Sequence, residues 1–161
     1  MSQPLKNATE VVYSDFYQQQ LKNQQLKNPK FPELANAFLC LSLIYENAGE
    51  YVEAGWVSVY AAWTCDDVSS VEGATKCRKK AVVLFQKARK NGQMFADSDE
   101  EEDAILVDLL RRAGEFDLAL KTYEKGLKKQ PKGLIFQILE FQKKLIGRRW
   151  PYNCRSKRRV I

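Results

Sequence analysis

Apolar residues recur at helical spacing through most of the chain, and no stretch of comparable length alternates at the period of a strand. In "TEVVYSDFYQQQL", Val12, Tyr13, Phe16 and Tyr17 predict a helix that Thr9 is placed to cap, and "NPKFP" breaks it. From Pro32 onward helix follows helix. "ELANAFLCLSLIYENAG" puts Ala37, Leu41, Ile44 and Tyr45 on one face, with Leu34 and Phe38 beside them and Gly49 as a left-handed stop. "EYVEAGWVSVYAAWTC" is a second helix of this series. "SSVEGATKCRKKAVVLFQKARKNG" is a third, capped by Ser69 or Ser70 and ended at Gly92. "DSDEEEDAILVDLLRRAG" has acids in its first turn and arginines in its last, complementing the helix dipole. "EFDLALKTYEKGLKKQP" ends at Pro131, and "GLIFQILEFQKKLIG" closes the set with Leu134, Ile138, Phe141 and Leu145 expected inside. The expected fold class is all-α, with about six to seven helices.

One phrase occurs twice. "NAGEYVEAGW" from Asn47 and "RAGEFDLALK" from Arg112 share Ala-Gly-Glu, an aromatic, two residues and Ala, 65 residues apart. In the first copy, Phe38, Leu41, Ser42, Tyr45, Gly49, Tyr51, Ala54 and Ala61 fall on the pattern of a known family. In the second, Leu106, Gly114, Phe116, Ala119, Tyr123, Gly126 and Pro131 do so. These two stretches resemble the tetratricopeptide repeat (TPR), a unit of roughly 34 residues made of two antiparallel helices with a glycine at the turn. A third echo, "AVVLFQKA" with Ala81, Phe85 and Ala88, lacks a turn glycine. Ser58 and Asp103 stand where the pattern has large aromatics. The chain is also similar to prokaryotic proteins with a TPR-like half, a likeness that implies no activity.

The resemblance implies antiparallel hairpins stacked as a short right-handed TPR-like solenoid. It implies a non-enzymatic scaffold that binds a peptide or helix on its concave face. By the family pattern that face carries Asn36, Leu39, Leu43 and Glu46 in one unit, and Glu101, Ala104, Asp108 and Arg111 in the other. The Lys and Asn clamp for chaperone carboxyl termini is missing, because Leu39 and Leu43 occupy its key places. An apolar and acidic groove favours a basic or amphipathic ligand. The competing reading is that the N-terminal helix, which has its own apolar face, covers Leu39 and Leu43. The expected organisation is an N-terminal helix and polar linker over 1–30, a helical domain with a capping helix over 31–147, and a basic tail over 148–161 expected to be disordered.

Charge sharpens that division. The chain has 26 Lys and Arg against 20 Asp and Glu, and the excess of six belongs to Arg148, Arg149, Arg155, Lys157, Arg158 and Arg159, with no acid after Gly147. These residues with Trp150 and Tyr152 suit single-stranded nucleic acid, which gives the alternative function, a nucleic-acid-associated protein acting through its tail. The same tail suits a solubilising end or a brace against the acids at Asp97–Asp103, which read as a solvated first turn. The basic helix around Arg78 and Lys80 reads as a solvated face, pairing with the acids that follow it.

Candidate chemistry is sparse. There is no histidine, no phosphate-binding glycine loop and no calcium-loop spacing, so neither enzyme activity nor a cofactor or metal is expected. Cys40, Cys65, Cys77 and Cys154 form no CxxC; the first three read as small core residues, with thiol chemistry near "CDD" as the other reading. Trp56, Tyr60 and Trp63 are expected in the core between two helices, or else on a dimer face. With no apolar run near the length of a bilayer span and no signal-like start in "MSQPLKNATEVVY", the expected location is cytoplasmic, with a protein or peptide partner and no membrane contact.

Overall fold

A computed structural model describes residues 8–26 and 29–150. Among these residues the chain is all-helical, with eight α-helices and no strand: α1 (Ala8–Val12), α2 (Asp15–Leu21), a 3₁₀ turn (Lys22–Gln25), α3 (Glu33–Asn47), α4 (Tyr51–Asp67), α5 (Val71–Lys90), α6 (Asp99–Arg112), α7 (Phe116–Leu127) and α8 (Gly133–Gly147). No helix among them is long and apolar enough to cross a membrane. The helix count exceeds the expected six to seven because Ser14 breaks the first segment. Its Oγ donates to the Val11 carbonyl at 2.6 Å and accepts from the Tyr17 amide at 3.4 Å, so it ends α1 and caps α2. Thr9 lies inside α1 rather than capping it.

The repeated phrase marks two equivalent turns. Gly49 and Gly114 have φ of 79° and 77°, which only glycine adopts without penalty. At each, the glycine amide reaches back to the carbonyl three residues earlier and the next amide to the one five residues earlier. These are Gly49 to Glu46 and Glu50 to Tyr45, then Gly114 to Arg111 and Glu115 to Leu110. That pair of bonds closes a helix with a reversal. Gly92 ends α5 in the same way. Ser70 precedes α5 without a side-chain cap bond, and Ser69 takes the left-handed position at the end of α4.

The chain divides into two compact units, Met1–Phe95 and Ala96–Ile161. In the first, α4 is central: α3 packs on one side of it and α5 on another, while α1, α2 and the 3₁₀ turn lie on α3. The contact sides of α4 are built of small residues, Ala54, Gly55, Ser58, Ala61 and Ala62, all buried. Ser58 Oγ meets Ser42 Oγ at 2.9 Å, and both hydroxyls reach the Ala54 carbonyl, so two buried polar groups are satisfied where the backbones close up. Toward α5, Phe85 lies against Gly55, stacks on Phe95 at 4.2 Å and meets the edge of Trp56 at 5.3 Å.

The phases of two helices differ from expectation. In α3 the buried positions are Ala35, Asn36, Leu39, Cys40 and Ser42, while Leu34, Ala37 and Leu41 are exposed. In α8 they are Leu139, Gln142, Leu145 and Ile146, while Leu134 and Phe141 are exposed. Both helices carry apolar residues around much of their circumference, and the partner helix selects one stripe. Tyr60 and Trp63 are not core: they are 40% and 53% exposed and form an aromatic ladder with Phe38, at 6.0 and 5.4 Å. Trp56 is half-buried and donates from Nε1 to the Phe95 carbonyl at 3.3 Å.

The second unit packs α6 against α7 and α8. Ala119, Tyr123 and Gly126 form the buried side of α7, and the buried Tyr123 ring sends its hydroxyl proton to Glu140 on α8.

The packing at Gly55 makes a substitution test. Gly→Ala inside a helix ordinarily stabilises by about 1 kcal/mol, but a Cβ at Gly55 stands 2.5 Å from the Phe85 ring. Gly55→Ala is expected to lower stability by about 2 kcal/mol in urea denaturation, the overpacking cost exceeding the propensity gain. An unchanged or raised midpoint would show that Phe85 yields without cost.

Candidate functional site

The four α3 positions expected on a concave face have different surroundings. Asn36 is buried, and its Oδ1 accepts from Gln20 Nε2 of α2 at 2.6 Å. Leu39 is buried among Ala35, Ala61, Ala62, Cys65, Ala74 and Cys77, with Phe31 and Phe38 packed beside that cluster. Its cover therefore comes largely from α4 and α5. Glu46 sits between Lys87 Nζ at 2.6 Å and Lys80 Nζ at 3.1 Å. Burial pushes its carboxyl up, but the two ammonium groups outweigh that and hold it below the usual carboxylate range. The Lys87 ammonium is raised in return, chiefly by its hydrogen bond to Glu46. So the acidic charge expected in the groove is answered within the fold. The lysines that answer it lie on α5, where a solvated face pairing with later acids was expected; Arg78 is likewise buried and paired with Asp66.

Leu43 is the position that keeps an opening. It lines a half-open cavity of about 510 Å³ between α3, the N-terminal segment and α5. Phe16, Leu26 and Phe31 give that cavity more apolar lining, and Lys22, Lys30 and Lys76 are its charged lining residues. Asn23 fixes one wall: its Nδ2 donates to the Phe31 carbonyl at 3.2 Å, and its Oδ1 accepts from the Lys30 amide at 2.7 Å. Of this lining, sequence reasoning named only Leu43 as a site residue, because the lysines belong to three separate segments.

The α6 positions lie in the second unit. Glu101 belongs to the N-terminal turn, where its amide donates to Ser98 Oγ and its Oε2 accepts from the Asp97 amide, each at 3.2 Å. Ala104 is buried. Asp108 accepts from Arg111 Nη2 at 2.8 Å, Arg112 Nε at 2.7 Å and Gln142 Nε2 at 2.9 Å. Burial raises its carboxyl, but Arg112 and Arg111 together hold it below the ordinary range. Arg111 is fully buried and also donates to Gln142 Oε1 at 2.5 Å and to the Trp150 carbonyl at 2.6 Å. This network ties α6 to α8 and to the chain that leaves it. Two of the acids expected to be solvated, Glu102 and Asp103, are buried, and Asp103 Oδ2 is 2.6 Å from Lys129 Nζ.

The tail residues divide at Trp150. Arg148 follows the last turn of α8, and the Arg149 guanidinium lies 5.7 Å from the Phe116 ring centroid. Tyr152, Cys154, Arg155, Lys157, Arg158 and Arg159 lie outside the described residues. Cys40, Cys65 and Cys77 are buried thiols. Contact with Cys65, followed by burial, pushes the Cys77 thiol well up, and burial raises Cys40 against its hydrogen bond with Tyr17. Comparison with family models, with curated proteins and with solved structures returned no match for the chain.

Two predictions follow from these ion pairs. Glu46 titrates lower folded than unfolded, so its contribution is complete above the unfolded carboxyl value of about 4.3. It is lost as the pH falls through the folded value. Glu46→Gln should therefore cost about 1 kcal/mol near neutral pH, less at high salt, and should show a smaller loss of stability on acidification than the parent chain. Parallel urea curves at every pH would contradict this. Arg111→Leu leaves Asp108 and Gln142 without their shared donor, and should cost about 3 kcal/mol in the same measurement. A loss below about 1 kcal/mol would mean that Arg112 alone suffices for Asp108.

Proposed function

We propose that this chain is a non-enzymatic, TPR-like scaffold that engages a peptide or helix of a protein partner on the α3 side of its first unit. The observation that carries this reading is the cavity at Leu43. It is open, about 510 Å³ in volume, and takes apolar lining from Phe16, Leu26, Phe31 and Leu43. Pockets of roughly 300–1,000 Å³ accommodate one drug-sized ligand or a few side chains. The neighbouring cover is light, since α2 contains no buried residue and α1 contains only Val11. Asn36, Leu39 and Glu46 then act behind the site, as packing and charge balance, rather than as contacts to the partner.

The test is affinity capture from nuclease-treated lysate with the full chain, a chain ending at Gly147 and a Leu43→Lys variant whose melting curve confirms folding. A discrete protein retained by the first two and lost by the third is expected, with at least a tenfold drop in yield. Retention by Leu43→Lys would remove the cavity from the partner interface. Binding that disappears with the tail and returns as nucleic acid when nuclease is omitted would establish the nucleic-acid function instead.

A further inference from the structure

This inference deepens the reading just given and rests on it: the lining of the Leu43 cavity specifies the chemistry of the segment it takes. Lys22 on the 3₁₀ turn, Lys30 before α3 and Lys76 on α5 border the cavity, and no carboxylate is among its described lining residues. Its other polar groups are neutral amides, of which Gln20 and Asn23 already bond within the fold. The described lining of the cavity is therefore apolar side chains, neutral amides and lysines, so its only charged side chains are cationic.

A carboxylate already stands beside that border. Glu72, one helical turn before Lys76, places Oε1 2.5 Å from Lys76 Nζ, and its side chain is 81% exposed. Lys76 first, and Lys30 more weakly, hold the Glu72 carboxyl below its usual range. Glu72 thus occupies, from outside the cavity, part of the electrostatic position an incoming acid would take.

We propose that the cavity docks an acidic amphipathic segment of a partner protein. One large apolar side chain of that segment, leucine or phenylalanine, rests on Phe31 and Leu43. Flanking Asp or Glu carboxylates pair with Lys22 and Lys30, and one displaces Glu72 from Lys76. A basic segment would instead bring its charges onto three ammonium groups. The cavity admits an exposed end or a bend of a chain rather than a long helix, because its volume matches one or two large side chains. Attraction of this kind weakens as salt rises.

The experiment is a display selection of random peptides on the full chain, followed by fluorescence anisotropy of labelled peptides from the selected pool. The expected pool is enriched in Asp and Glu on both sides of Leu or Phe. Affinity for these peptides should fall about fivefold or more with Lys22→Glu or Lys30→Glu, exposed positions that leave the core intact. Glu72→Gln should raise affinity about two- to fivefold, since it removes the internal competitor for Lys76. A pool of neutral or basic peptides that bind in a Leu43-dependent way, indifferent to Lys22, Lys30 and Glu72, would overturn the acidic class while leaving the scaffold reading standing. A selection that enriches no Leu43-dependent peptide would overturn both.

Discussion

The first unit depends on how closely three helices approach one another at α4. Ala54, Gly55, Ser58, Ala61 and Ala62 keep that helix thin, so α3 and α5 come near its backbone, and the Phe85 ring occupies the space a side chain at Gly55 would take. Dispersion between closely packed atoms is small per pair and large in sum, so a thin helix gains where a bulky one would hold its neighbours apart. The cost of closeness is polar: a hydroxyl in such a seam has no water. Ser42 and Ser58 resolve it by meeting each other and sharing the Ala54 carbonyl. The position of Leu43, and of the cavity beside it, follows from that seam, because the side of α3 packed on α4 decides which side remains outward.

Charge follows a similar logic of internal closure. Glu46 is held by two lysines of α5, Arg78 by Asp66, and Asp108 by two arginines of its own helix together with Gln142. Each of these groups that loses water gains an opposite charge or a directed hydrogen bond, which is the condition for burying it. What remains uncompensated is therefore more informative than the total charge. Around the cavity it is ammonium, with Glu72 as a partial and solvent-exposed counterweight.

Turn chemistry was the most legible part of the sequence. Gly49 and Gly114 announce reversals because the left-handed backbone there is a local, single-residue requirement, and the helix spans between such stops follow from spacing. Helix phase was less legible. Leu134, Ile138, Phe141 and Leu145 make as good a stripe on α8 as Leu139, Gln142, Leu145 and Ile146, and the neighbours decide between them, α6 by supplying Arg111 and Asp108 to a buried glutamine more than thirty residues away. Tyr60 and Trp63 were misplaced for a related reason: α4 is apolar around much of its circumference, and its neighbours α3 and α5 leave these two rings exposed. The cavity itself was illegible, since its cationic border is assembled from residues 22, 30 and 76, none of which belongs to a local motif.

The N-terminal segment is fastened to α3 and to the chain just before it by uncharged groups. Gln20 donates to Asn36, Asn23 bridges Phe31 and Lys30, and Tyr17 meets Cys40. Bonds between neutral amides and backbone groups are nearly indifferent to ionic strength, whereas attraction between exposed charges fades over a Debye length that shortens as salt rises. The wall of the cavity and the hold on the proposed acidic occupant therefore answer to different solution variables. A change in salt can empty the cavity without dismantling it, so that release of an occupant and loss of the surface that received it are physically separable events.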